Sequence, residues 1–145
     1  MPTNPLSMQR ITLHSSATQP SLDIGCAEIR QWHINKGWRD IGYHWVIKRD
    51  GTLEQGRPMH QTGAHVKGQN RHNIGICLIG GVNEHHHPEN NFTTPQWQTL
   101  KTTLTLLCDQ YQLPKSKIQG HNTLNPNTAC PSFNVTKYLT LNLEP

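Results

Sequence analysis

The stretch Ile74-Gly75-Ile76-Cys77-Leu78-Ile79, closed by Gly80-Gly81, decides how the rest of the chain is read. It carries no charge, has the length of a strand and not of a helix, and ends on a paired-glycine stop. A strand apolar on both faces needs cover on both faces, which sheets with one wet side do not provide. Ile74 to Ile79 therefore predicts the central strand of a mostly parallel sheet.

Upstream, Ile41 to Lys48, the turn Arg49-Asp50-Gly51 and Thr52 to Gln55 have the pattern of a hairpin. Arg10 to Leu13 predicts the first strand, with His14-Ser15-Ser16 just past its carboxyl end, where open α/β sheets place their ligands. Between them a helix capped by Ser21 or Asp23 runs to about Lys36, with Cys26, Ile29, Trp32 and His33 on one face and Gly37 at the stop. Met59 to Asn73 is loop-like. Downstream, Asn83 to Asn91, with three consecutive histidines, is a polar surface loop. Thr94 caps a helix that opens on Pro95 and repeats Trp97, Leu100, Leu104, Leu107, Cys108 and Tyr111. After Leu113-Pro114 come a short strand, Lys117 to Gly120, an extended loop, His121 to Pro131, and a terminal helix, Asn134 to Leu143.

This alternation defines an α/β class: a single domain with a central mixed, mostly parallel β-sheet flanked by helices on both faces. Residues 1–9 read as a flexible leader and 10–145 as the domain. A chain of 145 residues can bury roughly 68–70% of its unfolded surface, so it holds together without disulfides or a structural metal. Hydrophobic residues are 33% and charged residues 15%, so the polarity comes from uncharged side chains and ten histidines. The net charge of +4 is a mild bias toward anionic partners and chooses none; no aromatic-basic motif supports nucleic-acid binding.

No apolar run approaches the roughly 20 residues that span a bilayer, and Met1 to Gln9 has no hydrophobic core of a signal peptide. Synthesis in the cytoplasm, without membrane insertion, is expected. Cys26, Cys77, Cys108 and Cys130 form no C-x-x-C pair, which argues for reduced thiols and against a zinc finger. The first three fall on expected buried faces and read as packing.

His14 follows a strand, while His121 and Cys130 flank a loop after another strand. Two imidazoles and a thiolate suit zinc, with the fourth position left for water as in catalytic sites. Spacing alone leaves a structural role open for each, because nothing in it brings the segments together. H-E-x-x-H and the deaminase P-C-x-x-C are absent, which excludes the commonest alternative zinc hydrolases.

The segments LHSSAT, EIRQWHINKGWRDIGYHWVIKRDGT, GAHVKGQN, NIGICLIGGV and ACPSF, in this order between about Arg10 and Tyr138, resemble the zinc-dependent N-acetylmuramoyl-L-alanine amidases of the peptidoglycan-recognition fold, above all the short bacteriophage enzymes. The resemblance implies one Zn2+ on His14, His121 and Cys130 and a catalytic tyrosine at Tyr43. It also implies hydrolysis of the amide between the lactyl group of N-acetylmuramic acid and L-alanine. Tyr43 would donate to the oxyanion of the tetrahedral intermediate.

Where the phage enzymes carry a lysine two positions before the cysteine ligand, this chain has Thr128, a catalytic candidate as in the animal branch. His65 in GAH, and more weakly Asn73, are substrate-groove candidates. His44 reads as a packed or supporting histidine facing away from Tyr43 if the segment is a strand. His33 and His72 read as structural or surface, and His85-His86-His87 as solvated loop. Lys36, Arg39, Lys48, Arg57, Lys67 and Arg71 form no cluster and read as solvated surface.

The expected partner is bacterial peptidoglycan, with a cognate inhibitor or immunity protein if the chain serves as an antibacterial effector; a monomer is expected. The protein would act on the wall, in the periplasm or outside the cell, after release or delivery, as a phage lysin or an effector. The alternative from another class is a non-catalytic, zinc-bound peptidoglycan receptor. Retention of all three ligands and Tyr43 argues against it.

Overall fold

The computed structural model describes residues 8–143. A five-stranded sheet in the order β3-β2-β4-β1-β5 is built from β1 (Arg10–Ser15), β2 (Trp45–Ile47), β3 (Leu53–Gln55), β4 (Asn73–Leu78) and β5 (Ile118–Gly120). β2, β4, β1 and β5 are parallel, and only the β2–β3 hairpin is antiparallel. Every residue of β4 is buried, as a strand covered on both faces must be.

Four helices cover the sheet: α1 (Cys26–Asn35), α2 (Thr94–Tyr111), the single turn α3 (His121–Leu124) and α4 (Val135–Asn142). Side chains alternate along the strands. Ile11, Leu13, Ile74, Ile76 and Leu78 pack with Leu100, Leu104 and Leu107 of α2 and Val135 and Leu139 of α4. On the other face Val46, Cys77 and Ile79 meet Cys26 and Ile29 of α1. Each fully buried Leu or Ile contributes about 1.5–3 kcal/mol relative to exposure, so the α2 face holds most of the apolar stabilisation.

The connections leaving the neighbours β1 and β4 pass to opposite faces, through α1 and α2. That is the topological switch point where an open sheet leaves a crevice at the carboxyl ends of its strands.

Several local expectations are revised. β1 runs two residues further than expected, so His14 lies in the strand opposite Cys77. α1 is capped at Gly25 and not at Ser21 or Asp23: Glu28, in its own first turn, accepts from Gly25 N–H at 2.7 Å, and Glu54 of β3 accepts from Cys26 N–H at 2.8 Å. Trp32 is exposed and not on the buried face of α1. α2 is capped by Thr93, one residue before Thr94, in a reciprocal box with Gln96. The loop expected from His121 opens instead with α3.

Arg57 is buried, not solvated; its guanidinium donates to the carbonyls of Ile41 at 3.0 Å and Thr62 at 2.7 Å. Of the expected leader, residues 1–7 lie outside the described residues, while Met8 packs into the α2 core and Gln9 N–H donates to His72 O at 2.8 Å. Among the described residues no helix is long and apolar enough to cross a membrane.

Candidate metal centre

His14 is the fifth residue of β1, and His121 follows directly on β5, whose Gly120 pairs with Leu13. Parallel pairing thus sets the two imidazoles side by side, with ring centroids 4.7 Å apart. Cys130 is brought back by Asn122, whose N–H donates to the Cys130 carbonyl at 2.7 Å. The ligand atoms of His14, His121 and Cys130 all lie within 4.8 Å of one another, and Cys130 Sγ is 3.7 Å from His14 Nδ1.

The donor set fits zinc on its chemistry. Burial holds His14 well below the ordinary imidazole range, reinforced by His65 and His121, and burial also lowers His121, so both rings are neutral with a lone pair to give. Burial pushes the Cys130 thiol up, opposed by the Ser15 N–H that donates to Sγ at 3.1 Å. A cation there would replace the thiol proton and meet a sulfur already supported by an amide.

Tyr43 flanks this group, its ring centroid 5.0 Å from that of His14. Burial raises its hydroxyl well above the usual phenol range, followed by the neighbouring Cys77 and Cys130, so it stays a protonated donor. Its backbone is fixed from both sides: Arg57 N–H donates to Tyr43 O at 2.8 Å, and His33 Nδ1 accepts from Gly42 N–H at 2.9 Å. The His33 ring also packs on Tyr43 at 5.6 Å, a supporting role that spacing did not reveal.

His44 is a packed histidine, as its sequence position suggested. Regular strand begins only at Trp45, so alternation does not apply at Tyr43. His44 is fully buried 6.0 Å from the His65 ring, and its nitrogens bond Gly75 N–H at 3.1 Å and Gln61 O at 2.8 Å.

His65 lines a cavity with Trp38, Lys67, Asn70, His121 and Asn125, beside the ligand group. Its ring is turned inward: Nδ1 lies 2.9 Å from His14 Nε2, and Nε2 lies 2.9 Å from Asn73 O. Asn73 differs from the groove position expected of it. It is fully buried, with Oδ1 accepting from Thr12 at 2.8 Å and Nδ2 donating to Gln69 O at 2.9 Å, which leaves no polar atom for a ligand. Thr128 Oγ1 accepts from Cys130 N–H at 3.2 Å, so it braces the cysteine loop while its own proton stays available. A second cavity, about 340 Å³, is lined by Tyr43 with Ser16, Trp32, His33 and Lys36.

At the switch point of this α/β sheet two histidines and a cysteine converge in a group that could hold a metal ion. The family described as N-acetylmuramoyl-L-alanine amidase matches residues 4–133, and the chain belongs to it. The endolysin of Klebsiella phage KP32 is 44% identical over 129 residues, 89% of this chain and 83% of that one. The endolysin of Escherichia phage T7 is 43% identical over 132 residues, 91% and 85% of the two chains. Among solved structures, the N-acetylmuramoyl-L-alanine amidase LysC from Clostridium intestinale superposes with a TM-score of 0.77 at 26% identity, covering 97% of this chain and 91% of that one.

Proposed function

We propose that this domain is a peptidoglycan amidase of the phage-lysin type that works with one zinc ion on His14, His121 and Cys130. The observation that carries the reading is the convergence of those three side chains inside a chain matched along residues 4–133 by the amidase family. The bond cut joins the lactyl group of N-acetylmuramic acid to L-alanine. When bound, zinc supplies Lewis acidity, acidifying a water toward a pKa of about 7 and polarising the amide carbonyl.

The chain's own residues do the rest. Tyr43, half-buried and protonated, donates to the oxygen that gains charge as the carbonyl becomes tetrahedral. Thr128 holds the Cys130 loop and has a hydroxyl proton to offer in place of the lysine ammonium of related phage enzymes. One cavity is lined by His121 together with His65, Lys67 and Asn125, and another by Tyr43 together with Trp32 and Lys36, so each borders one of the reacting groups, which supports an extended substrate. Action on the wall after release, and a monomeric state, are part of the same reading; an inhibitor or immunity partner is a separate question for an effector role.

Mass spectrometry of purified peptidoglycan digested by the protein tests this directly. Peptides with a free L-alanine amino terminus should appear, vanish on chelation and return with zinc. Intact wall under all three conditions, with protein sedimenting on the sacculi, would replace the enzyme with a receptor.

A further inference from the structure

Four buried or half-buried imidazoles form a chain of ring contacts, His44 to His65 to His14 to His121, and the amidase reading uses two of them as ligands. His65 is the one whose bonding settles the state of a ligand. Its Nε2 lies 2.9 Å from the Asn73 carbonyl, a group that can only accept, so Nε2 carries a proton. With that single ring proton on Nε2, Nδ1 holds a lone pair and accepts. The atom 2.9 Å away is His14 Nε2, which therefore donates. In the neutral ring of His14 the remaining lone pair is then on Nδ1, the nitrogen 3.7 Å from Cys130 Sγ.

The fold makes room for this chain of bonds. A Cβ on Gly75 would fall 2.7 Å from the His65 ring, with ring atoms as all three of its nearest neighbours, so this glycine is a steric requirement of the imidazole. The backbone of His65 is pinned as well: its N–H and that of Val66 both donate to Asn70 Oδ1 at 2.7 Å.

We infer that His65 is a positioning residue for the metal centre: by accepting the Nε2 proton of His14 and donating its own to Asn73 O, it fixes His14 in the tautomer that presents Nδ1 to the ion. Metal-bound histidines generally donate their second N–H to a carboxylate, a carbonyl or water. Here an intervening imidazole relays that bond to the carbonyl at the head of β4. The inference rests on the zinc reading for its purpose and on the hydrogen bonds alone for the tautomer.

The test is long-range 1H–15N spectroscopy of histidine-labelled, zinc-free protein, joined to competitive zinc titration of the wild type, His65→Leu and His65→Gln. Zinc-free wild type should show His14 protonated at Nε2, a result that needs no variant. His65→Leu removes the acceptor and should weaken zinc binding about 10–100-fold. His65→Gln keeps one acceptor and one donor and should recover most of that loss, which a purely space-filling role would not predict. Protonation of His14 at Nδ1 in the wild type, or equal zinc affinity of the Leu and Gln variants, overturns the inference. Wild type with the expected tautomer but no zinc uptake overturns the metal assignment instead.

Discussion

The two faces of β1 and β4 come from the same two segments and hold opposite contents. Toward α2 and α4 stand Ile11, Leu13, Ile74, Ile76 and Leu78, all fully buried among other aliphatic side chains. Toward α1 stand Thr12, His14, Gly75 and Cys77, two polar groups, a gap and a small thiol. The pleat alternates them, so one face can be close-packed for stability while the other keeps space and lone pairs. A slip of one residue in register would exchange the two, which is why the aliphatic face also fixes where the histidine sits.

Substitutions on one face should leave the other's property untouched. The largest effect expected is on the site side: Tyr43→Phe should lower kcat by about 10²–10³-fold while KM and the unfolding midpoint stay close to wild type. A kcat within a few-fold of wild type would take Tyr43 out of the chemistry. On the packed side, Leu104→Ala should cost about 2–5 kcal/mol of stability in urea titration, with turnover per folded molecule retained. Lost turnover in fully folded Leu104→Ala would break the separation of the two faces.

A smaller effect is expected from acid. Burial, with Lys36 and Arg57 nearby, holds His33 at about 4, below its ordinary 6.5. Between those two pH values the unfolded chain takes up a proton that the folded chain refuses, so stability falls as pH drops through that window and His33 has no effect above it. The expected loss from pH 6.5 to 5 is on the order of 1 kcal/mol. His33→Asn keeps an acceptor for Gly42 N–H and should show a shallower decline; parallel declines would assign the acid sensitivity elsewhere. The smallest effect is that of Thr128→Val, which removes the acceptor of a half-buried N–H and should cost about 0.5 kcal/mol, with activity reduced and Thr128→Ser restoring it. Full activity of Thr128→Val would leave Thr128 as a loop residue only.

Periodicity made β4, α2 and the hairpin legible, because each is long or flanked by unambiguous stops. The three candidate ligands were legible as residue types, two of them at strand ends and one in a following loop, and the resemblance of the segments around them implied their meeting. What the sequence hid are groups satisfied by distant partners. Glu54 of β3 caps α1 from 28 residues away, so local caps at Ser21 and Asp23 are bypassed. Arg57 is buried because three backbone carbonyls happen to face it, and Asn73 is consumed by Thr12, 61 residues earlier. The one available sign of the His65 contact was Gly75, a residue without a side chain in an otherwise apolar strand.

The placement of the ligands at the two ends of the described chain has a consequence for survival. His14 and Cys130 are 116 residues apart, so the ion proposed between them would close a loop around nearly the whole domain, a clasp that would open whenever the ion left. An ion bound only to the folded form adds about 2.7 kcal/mol at a free concentration 100 times its dissociation constant. If the proposed zinc ion binds there, resistance of the folded chain to added protease should rise with free zinc and fall on chelation.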